Sequence, residues 1–176
     1  AREMILKLDE LRVDVHLAYL YGTDWMDTQR DDHRIAAMRQ RPKDLNLPQV
    51  VYSSGDLFCK NSGKYRIGYT MLEVNGIPED WVLQANAMDE IWVPSTFNLE
   101  TFANSGVTKP IYVMPLGVNP DYFNPKIRAF RPSQRYTFLS VFEWGERKAA
   151  DVLLRAYHRA FLRKDDVLLL LKVINT

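Results

Sequence analysis

Two adjacent cations, Arg147 and Lys148, stand in the stretch SVFEWGERKAADVLLRAY, residues 140 to 157, just where an amphipathic helix is predicted to begin. The first turn of a helix carries a partial positive charge and favours Asp or Glu, so each cation there costs roughly 0.3–1 kcal/mol. A bound anion is one account of the placement. Phosphate at that helix end would meet free backbone N–H groups and the dipole, and the two side chains would add charge-assisted hydrogen bonds. The other account leaves both cations solvated and turned away from the helix end, at a cost the chain easily tolerates. With one glycine, Gly145, the loop is neither a GxGxxG fingerprint nor a P-loop.

A second group lies in GYTMLEVNG, 68 to 76, where Thr70 and Glu73 follow a predicted strand. A carboxylate there can act as a general base or bind sugar hydroxyls, or it can be a solvated loop acid or capping partner. Trp81, Trp92 and Trp144 can line a carbohydrate site, although aromatics at these spacings more commonly belong to a core. The three histidines, His16, His33 and His158, have no ligand spacing such as HxxxH, so they read as surface or core residues, and neither a zinc site nor a triad is expected. Cys59 has no positioned base beside it and reads as inert.

These residues need elements to hold them. REMILKLDEL, 2 to 11, has helical apolar spacing, VDVHLAYL, 13 to 20, reads as a strand, and the polar stretch YGTDWMDTQRDDHR, 21 to 34, as a loop before a short helix at 35 to 39. PQVVYSS and KYRIGYTML are predicted buried strands joined by the polar turn GDLFCKNSG. IPEDWVLQANAMD is a helix with Pro78, Glu79 and Asp80 in its first turn. EIWVPS is a strand, Ser95 or Thr96 caps the helix FNLETFANS, Gly106 ends it, and PIYVMPLGV is the next strand. After the proline-rich 119 to 134, YTFLSVF, the helix AADVLLRAYHRAFL and VLLLLKV form a βαβ unit. This alternation predicts an α/β fold with a mostly parallel sheet. The sequence starts on a helix and stops on a strand just after a βαβ unit, so the expectation is a piece of a longer protein.

The chain has 176 residues, 47% apolar and 26% charged, with a formal net charge of +1. Nothing in that balance favours nucleic acid or an anionic membrane, so an anion site would have to be local. A single cysteine excludes an intramolecular disulfide and fits a reducing compartment. The apolar runs are far shorter than the ~20 residues of a membrane-spanning helix, and the start shows no signal-peptide pattern. Cytoplasm is the expected location, with peripheral membrane contact left open.

The succession IWVPSTFNLETFANSGV, PIYVMPLGVNPDYFNP and YTFLSVFEWGERKAADVLLRAY resembles the GT-B glycosyltransferases of the family 4 type, the glycosyl transferases group 1, over roughly residues 64 to 173. The resemblance implies two facing Rossmann-like domains that transfer a sugar, with retention, from a nucleotide-diphospho-sugar to the hydroxyl of a carbohydrate or lipid-linked acceptor. It assigns 1 to 118 to a partial acceptor-side domain, 119 to 134 to a linker and 135 to 176 to the start of the donor domain. Lys148 matches the family lysine that binds the donor diphosphate, and Arg147 stands beside it. Glu73 is the catalytic candidate, with Thr70, Ser95, Gly117 and Glu143 as acceptor-side or cleft-lining residues. No cofactor is expected, and the absence of a DxD-like motif points to a metal-independent reaction.

The sequence also departs from the family pattern. Val141 and Phe142 occupy the places where relatives often carry a Gly-Arg pair, and Thr70 and Glu73 stand where many have a histidine. The glycine loop and the E-x7-E carboxylate pair of the family would fall outside the sequence, so the chain by itself is expected to be inactive. Two rival readings follow: a GT-B-fold UDP-sugar epimerase, and a glycosyltransferase-like domain that binds without turnover.

Overall fold

The computed structural model describes residues 2–20, 33–128 and 133–174. The chain divides into two compact units, Ala1–Phe123 and Asn124–Thr176, and the division falls inside the proline-rich 119–134.

The first unit is built on a parallel sheet of four strands in the order β1-β2-β3-β4: β1 Pro48–Tyr52, β2 Tyr65–Tyr69, β3 Glu90–Val93 and β4 Ile111–Val113. Each strand follows its neighbour in sequence, so a connection crosses the sheet between every pair. A 3₁₀ segment, Gly55–Lys60, joins β1 to β2 where the sequence predicts a polar turn. Helix α3, Glu79–Asn86, joins β2 to β3, and α4, Thr96–Asn104, joins β3 to β4.

Each helix starts and stops for a local reason. Pro78 precedes α3 with φ already near the helical value, and Glu79 and Asp80 meet the positive end of the dipole. Ser95 caps α4: its hydroxyl accepts from the Asn98 N–H at 3.2 Å. Beyond α4, Gly106 takes φ 100, a left-handed turn that a side chain would strain. Pro110 and Pro115 hold β4 to three residues, shorter than PIYVMPLGV predicts, because proline has no N–H to give a ladder.

The two faces of this sheet differ. On one, Val51, Ile91 and Val93 meet Phe58 from the 3₁₀ segment, Ala85 and Met88 from the α3 region, and Phe102 from α4. Each of these side chains larger than alanine, fully buried, contributes roughly 1.5–3 kcal/mol. Gly68 is part of this packing, since a Cβ there would lie 2.4 Å from the Phe58 ring. On the other face the register aligns Tyr52, Tyr69, Trp92 and Tyr112 in a row across all four strands.

Helices α1, Arg2–Glu10, and α2, His33–Gln40, complete the first unit, burying Leu6 and Ile35 with Met38. Two expectations fail here. His33 opens α2 and does not lie in a loop. Residues 13–19 form no strand, because their backbone groups find other partners: Leu17 N–H donates to the Met38 carbonyl at the end of α2, and the Arg41 guanidinium donates to the Val15 carbonyl at 3.0 Å. His16 is fixed in the same place, with Nδ1 2.6 Å from the Arg41 carbonyl.

The second unit is a βαβ arrangement. Strands β5, Tyr136–Glu143, and β6, Val167–Ile174, pair in parallel, with α5, Ala150–Ala160, between them in sequence. Phe138 of β5 meets Tyr157 of α5 and Phe161 just beyond it, at ring separations of 6.4 and 5.4 Å.

Candidate functional site

In parallel α/β sheets ligands gather beyond the carboxyl ends of the strands. In the first unit that edge carries Ser53 and Ser54 after β1, Thr70 and Met71 after β2, and Ser95 after β3. The backbone there is pinned across the strands. Ser53 N–H donates to the Tyr69 carbonyl, Thr70 N–H to the Trp92 carbonyl and Met114 N–H to the Val93 carbonyl. The Tyr69 hydroxyl donates to the Met114 carbonyl at 2.6 Å, so its phenol spans from β2 to the residue after β4. Tyr69 is buried, and that burial, with Tyr52 beside it, pushes its pKa above the ordinary value.

The candidates named from sequence fall into two sets. Thr70 and Ser95 follow adjacent strands of the first unit, at one sheet edge. Ser95 is occupied in part as the α4 cap, and its hydroxyl also donates to Asn98 Oδ1 at 3.3 Å. Glu73 lies in the loop between β2 and α3, exposed, immediately after Leu72, whose carbonyl accepts from Asn98 Nδ2 at 2.5 Å. Asn98 thus ties the loop that carries Glu73 to the start of α4. Gly117 follows β4 in an exposed stretch, with open space where a Cβ would stand.

Glu143, Arg147 and Lys148 belong to the second unit. Glu143 is the last residue of β5 and is exposed. Arg147 and Lys148 lie not in the first turn of α5 but in a 3₁₀ turn before it, Glu146–Lys148, closed by Lys148 N–H donating to the Gly145 carbonyl at 3.0 Å. Ala149 separates the two elements with φ 50 and ψ 41, a left-handed conformation. The first turn of α5 itself holds an acid, Asp151, which pairs with Arg155 at 2.6 Å. The helix therefore obeys the dipole preference, and the expected misplacement of the cations is corrected: they precede the helix. Both are exposed, and their side chains have no hydrogen bond or ion pair among the described residues. Phe142, in the strand before this turn, sets its ring 6.0 Å from that of Trp144.

One feature of the first unit escaped the sequence reading. Between the ends of β1 and β2 and the start of α3 lies an open depression of about 220 Å³, lined by Tyr52, Ser53, Ser54, Thr70, Met71 and Trp81 over Tyr69. Trp81 comes close because Gly55 lets it: a Cβ on Gly55 would lie 2.7 Å from the indole ring. The signal was present in PQVVYSS, whose terminal serines stand at a carboxyl strand end just as Thr70 does.

Among the described residues no group of three or more His, Cys, Asp or Glu is placed to hold a metal ion, and no helix is long and apolar enough to cross a membrane. Cys59 is exposed within the 3₁₀ segment, its thiol 3.5 Å from the Asp56 carbonyl. Comparisons of the chain with protein-family models, curated proteins and solved structures return no match in any of the three.

Proposed function

We propose that the chain belongs to a retaining glycosyltransferase of the GT-B type, in which the turn Gly145–Lys148 receives the diphosphate of a nucleotide-sugar donor. The supporting observation is the pair Arg147 and Lys148, exposed and with no side-chain partner among the described residues, in the turn that leaves the carboxyl end of β5. In the reaction the bond from the anomeric carbon to the diphosphate oxygen breaks as a bond to the acceptor hydroxyl oxygen forms. Negative charge grows on the departing diphosphate. Two cations beside it would offset that charge as it develops towards the transition state. Glu73 is the carboxylate put forward for the acceptor hydroxyl, with Thr70 at the same sheet edge.

A second reading, a domain of this kind that binds without turnover, draws on the carboxylates around the cations. Glu146 precedes them and Asp151 follows in the first turn of α5, where each opposes a bound phosphate.

Calorimetric titration of the chain with UDP, GDP and ADP tests the diphosphate site. Binding of at least one nucleotide is expected, weakened roughly tenfold or more by Lys148→Ala, as loss of one charge-assisted hydrogen bond implies. If no nucleotide binds, or if Lys148→Ala leaves the affinity unchanged, the diphosphate role is wrong. Binding without sugar transfer to any acceptor would select the second reading.

A further inference from the structure

We propose that the outward face of α5 and the turn after it form a cationic surface that adsorbs to an anionic lipid bilayer. The formal net charge of +1 hides a division between the two units. Ala1–Phe123 carries 12 Lys and Arg against 17 Asp and Glu, a net charge of −5, whereas Asn124–Thr176 carries 11 against 5, a net charge of +6. Charge of one sign gathered in so short a stretch attracts a polyanion, whatever the balance of the whole chain. In α5 the buried Ala150 and the half-buried Leu153, Leu154 and Tyr157 mark the inward side, where Tyr157 meets Phe138 of β5. Val152, Arg155 and Arg159 recur at spacings of three and four, and so share the exposed side.

The acids nearby leave most of this charge in place. Asp151 pairs with Arg155, Asp166 pairs with Arg135, and the Asp165 carboxylate accepts from the Leu162 N–H at 2.7 Å. Arg159, Arg163 and Lys164 are exposed, and their side chains have no partner among the described residues. Each cation held near an anionic leaflet strengthens adsorption about fivefold, and the attraction fades beyond a Debye length. Apolar groups decide between a bilayer and a nucleic acid. Val152 is 53% exposed and Leu162 62%, the one on the outward side of α5 and the other directly before Arg163. Against a phosphate backbone such side chains gain nothing, whereas in the headgroup region they leave water beside the arginines. The exposed residues of α5 include no Phe, Tyr or Trp on which a base could stack.

This surface lies outside the turn Gly145–Lys148, so bilayer binding and nucleotide binding are separable. The test is sedimentation of the chain with vesicles of phosphatidylcholine alone and of phosphatidylcholine mixed with phosphatidylglycerol. Binding is expected to the mixed vesicles only, and should weaken roughly tenfold or more as sodium chloride rises from about 0.05 to about 0.5 M. Arg159→Gln with Arg163→Gln should weaken it roughly tenfold or more, with glutamine preserving helix propensity. A comparable loss is expected of Arg155→Gln with Lys164→Gln, and a smaller one, about threefold, of Leu162→Asp. Lys43→Gln with Lys64→Gln removes the same charge from the first unit and should leave binding as it is. Far-ultraviolet circular dichroism of each variant checks that its helices are retained. The proposal is overturned if the mixed vesicles bind nothing, if phosphatidylcholine alone binds as well, or if the first-unit variant loses as much as the α5 variants. A duplex RNA that strips the chain from mixed vesicles at equal phosphate concentration would overturn it in favour of a nucleic acid. Failure of UDP to bind leaves every one of these outcomes readable.

Discussion

Gly68 and Gly55 show how single atoms set this molecule. At Gly68 a methyl group would meet the Phe58 ring at 2.4 Å, and Phe58 is fully buried, so neither side can yield cheaply. Gly68→Ala is expected to cost about 1–3 kcal/mol, measurable by urea unfolding. Ala149 presents the opposite case. It holds φ 50 where glycine would be unstrained, so Ala149→Gly is expected to gain up to about 1 kcal/mol for the second unit. Tyr69 carries a pH dependence. Burial, and secondarily Tyr52, raises its pKa above the ordinary 10.0, so the folded chain keeps its proton where the unfolded chain has released it. Stability from this group is intact below about pH 10 and falls as pH rises past it. Alkaline unfolding of Tyr69→Phe should show a shallower decline, starting from a lower neutral-pH stability because the bond to the Met114 carbonyl is gone.

Among the elements, α4 is the one whose position matters most to the sheet edge. Ser95 caps it, and Asn98 in its first turn holds the Leu72 carbonyl of the β2–α3 loop. Ser95→Ala should cost about 1 kcal/mol through the lost cap. Asn98→Ala should cost more, because Asn98 is buried and its removal also leaves the Leu72 carbonyl without that donor. Proteolysis within 71–78 is expected to quicken in Asn98→Ala and to change little in Ser95→Ala. Equal sensitivity of both variants would show that Asn98 does not tether the loop. The start of α5 behaves differently: its first-turn acid Asp151 pairs with Arg155, both exposed, and that pair is worth little.

Burial is unequal across the whole molecule. Among the described residues every buried apolar side chain except Ala150 lies in the first unit. In the second, Leu139 is 63% exposed and Val141 57%, on the face of β5 opposite Phe138. Burying apolar area is the main favourable term in folding, so stability should be uneven too. Backbone hydrogen exchange is expected to be slowest in β2 and β3 and faster by an order of magnitude or more in β5 and β6. Uniform protection over both units would contradict that expectation.

The sequence by itself determined the alternation of elements, and with it the α/β class. Periodicity marks α3, α4 and α5, while prolines and Gly106 mark where elements stop, because these signals are local. Pro78 at the start of α3 and Ser95 at the cap of α4 stand where the sequence places them. What depends on partners far along the chain could not be read. VDVHLAYL alternates like a strand, yet Arg41, more than twenty residues away, supplies a bond its backbone uses. Arg147 and Lys148 precede α5 only because Ala149 adopts a left-handed turn, which nothing in ERKAAD announces. The Trp81 depression is likewise tertiary: it needs Gly55 to admit the indole and the parallel register to set Thr70 beside Ser53, a juxtaposition of residues that are distant in sequence.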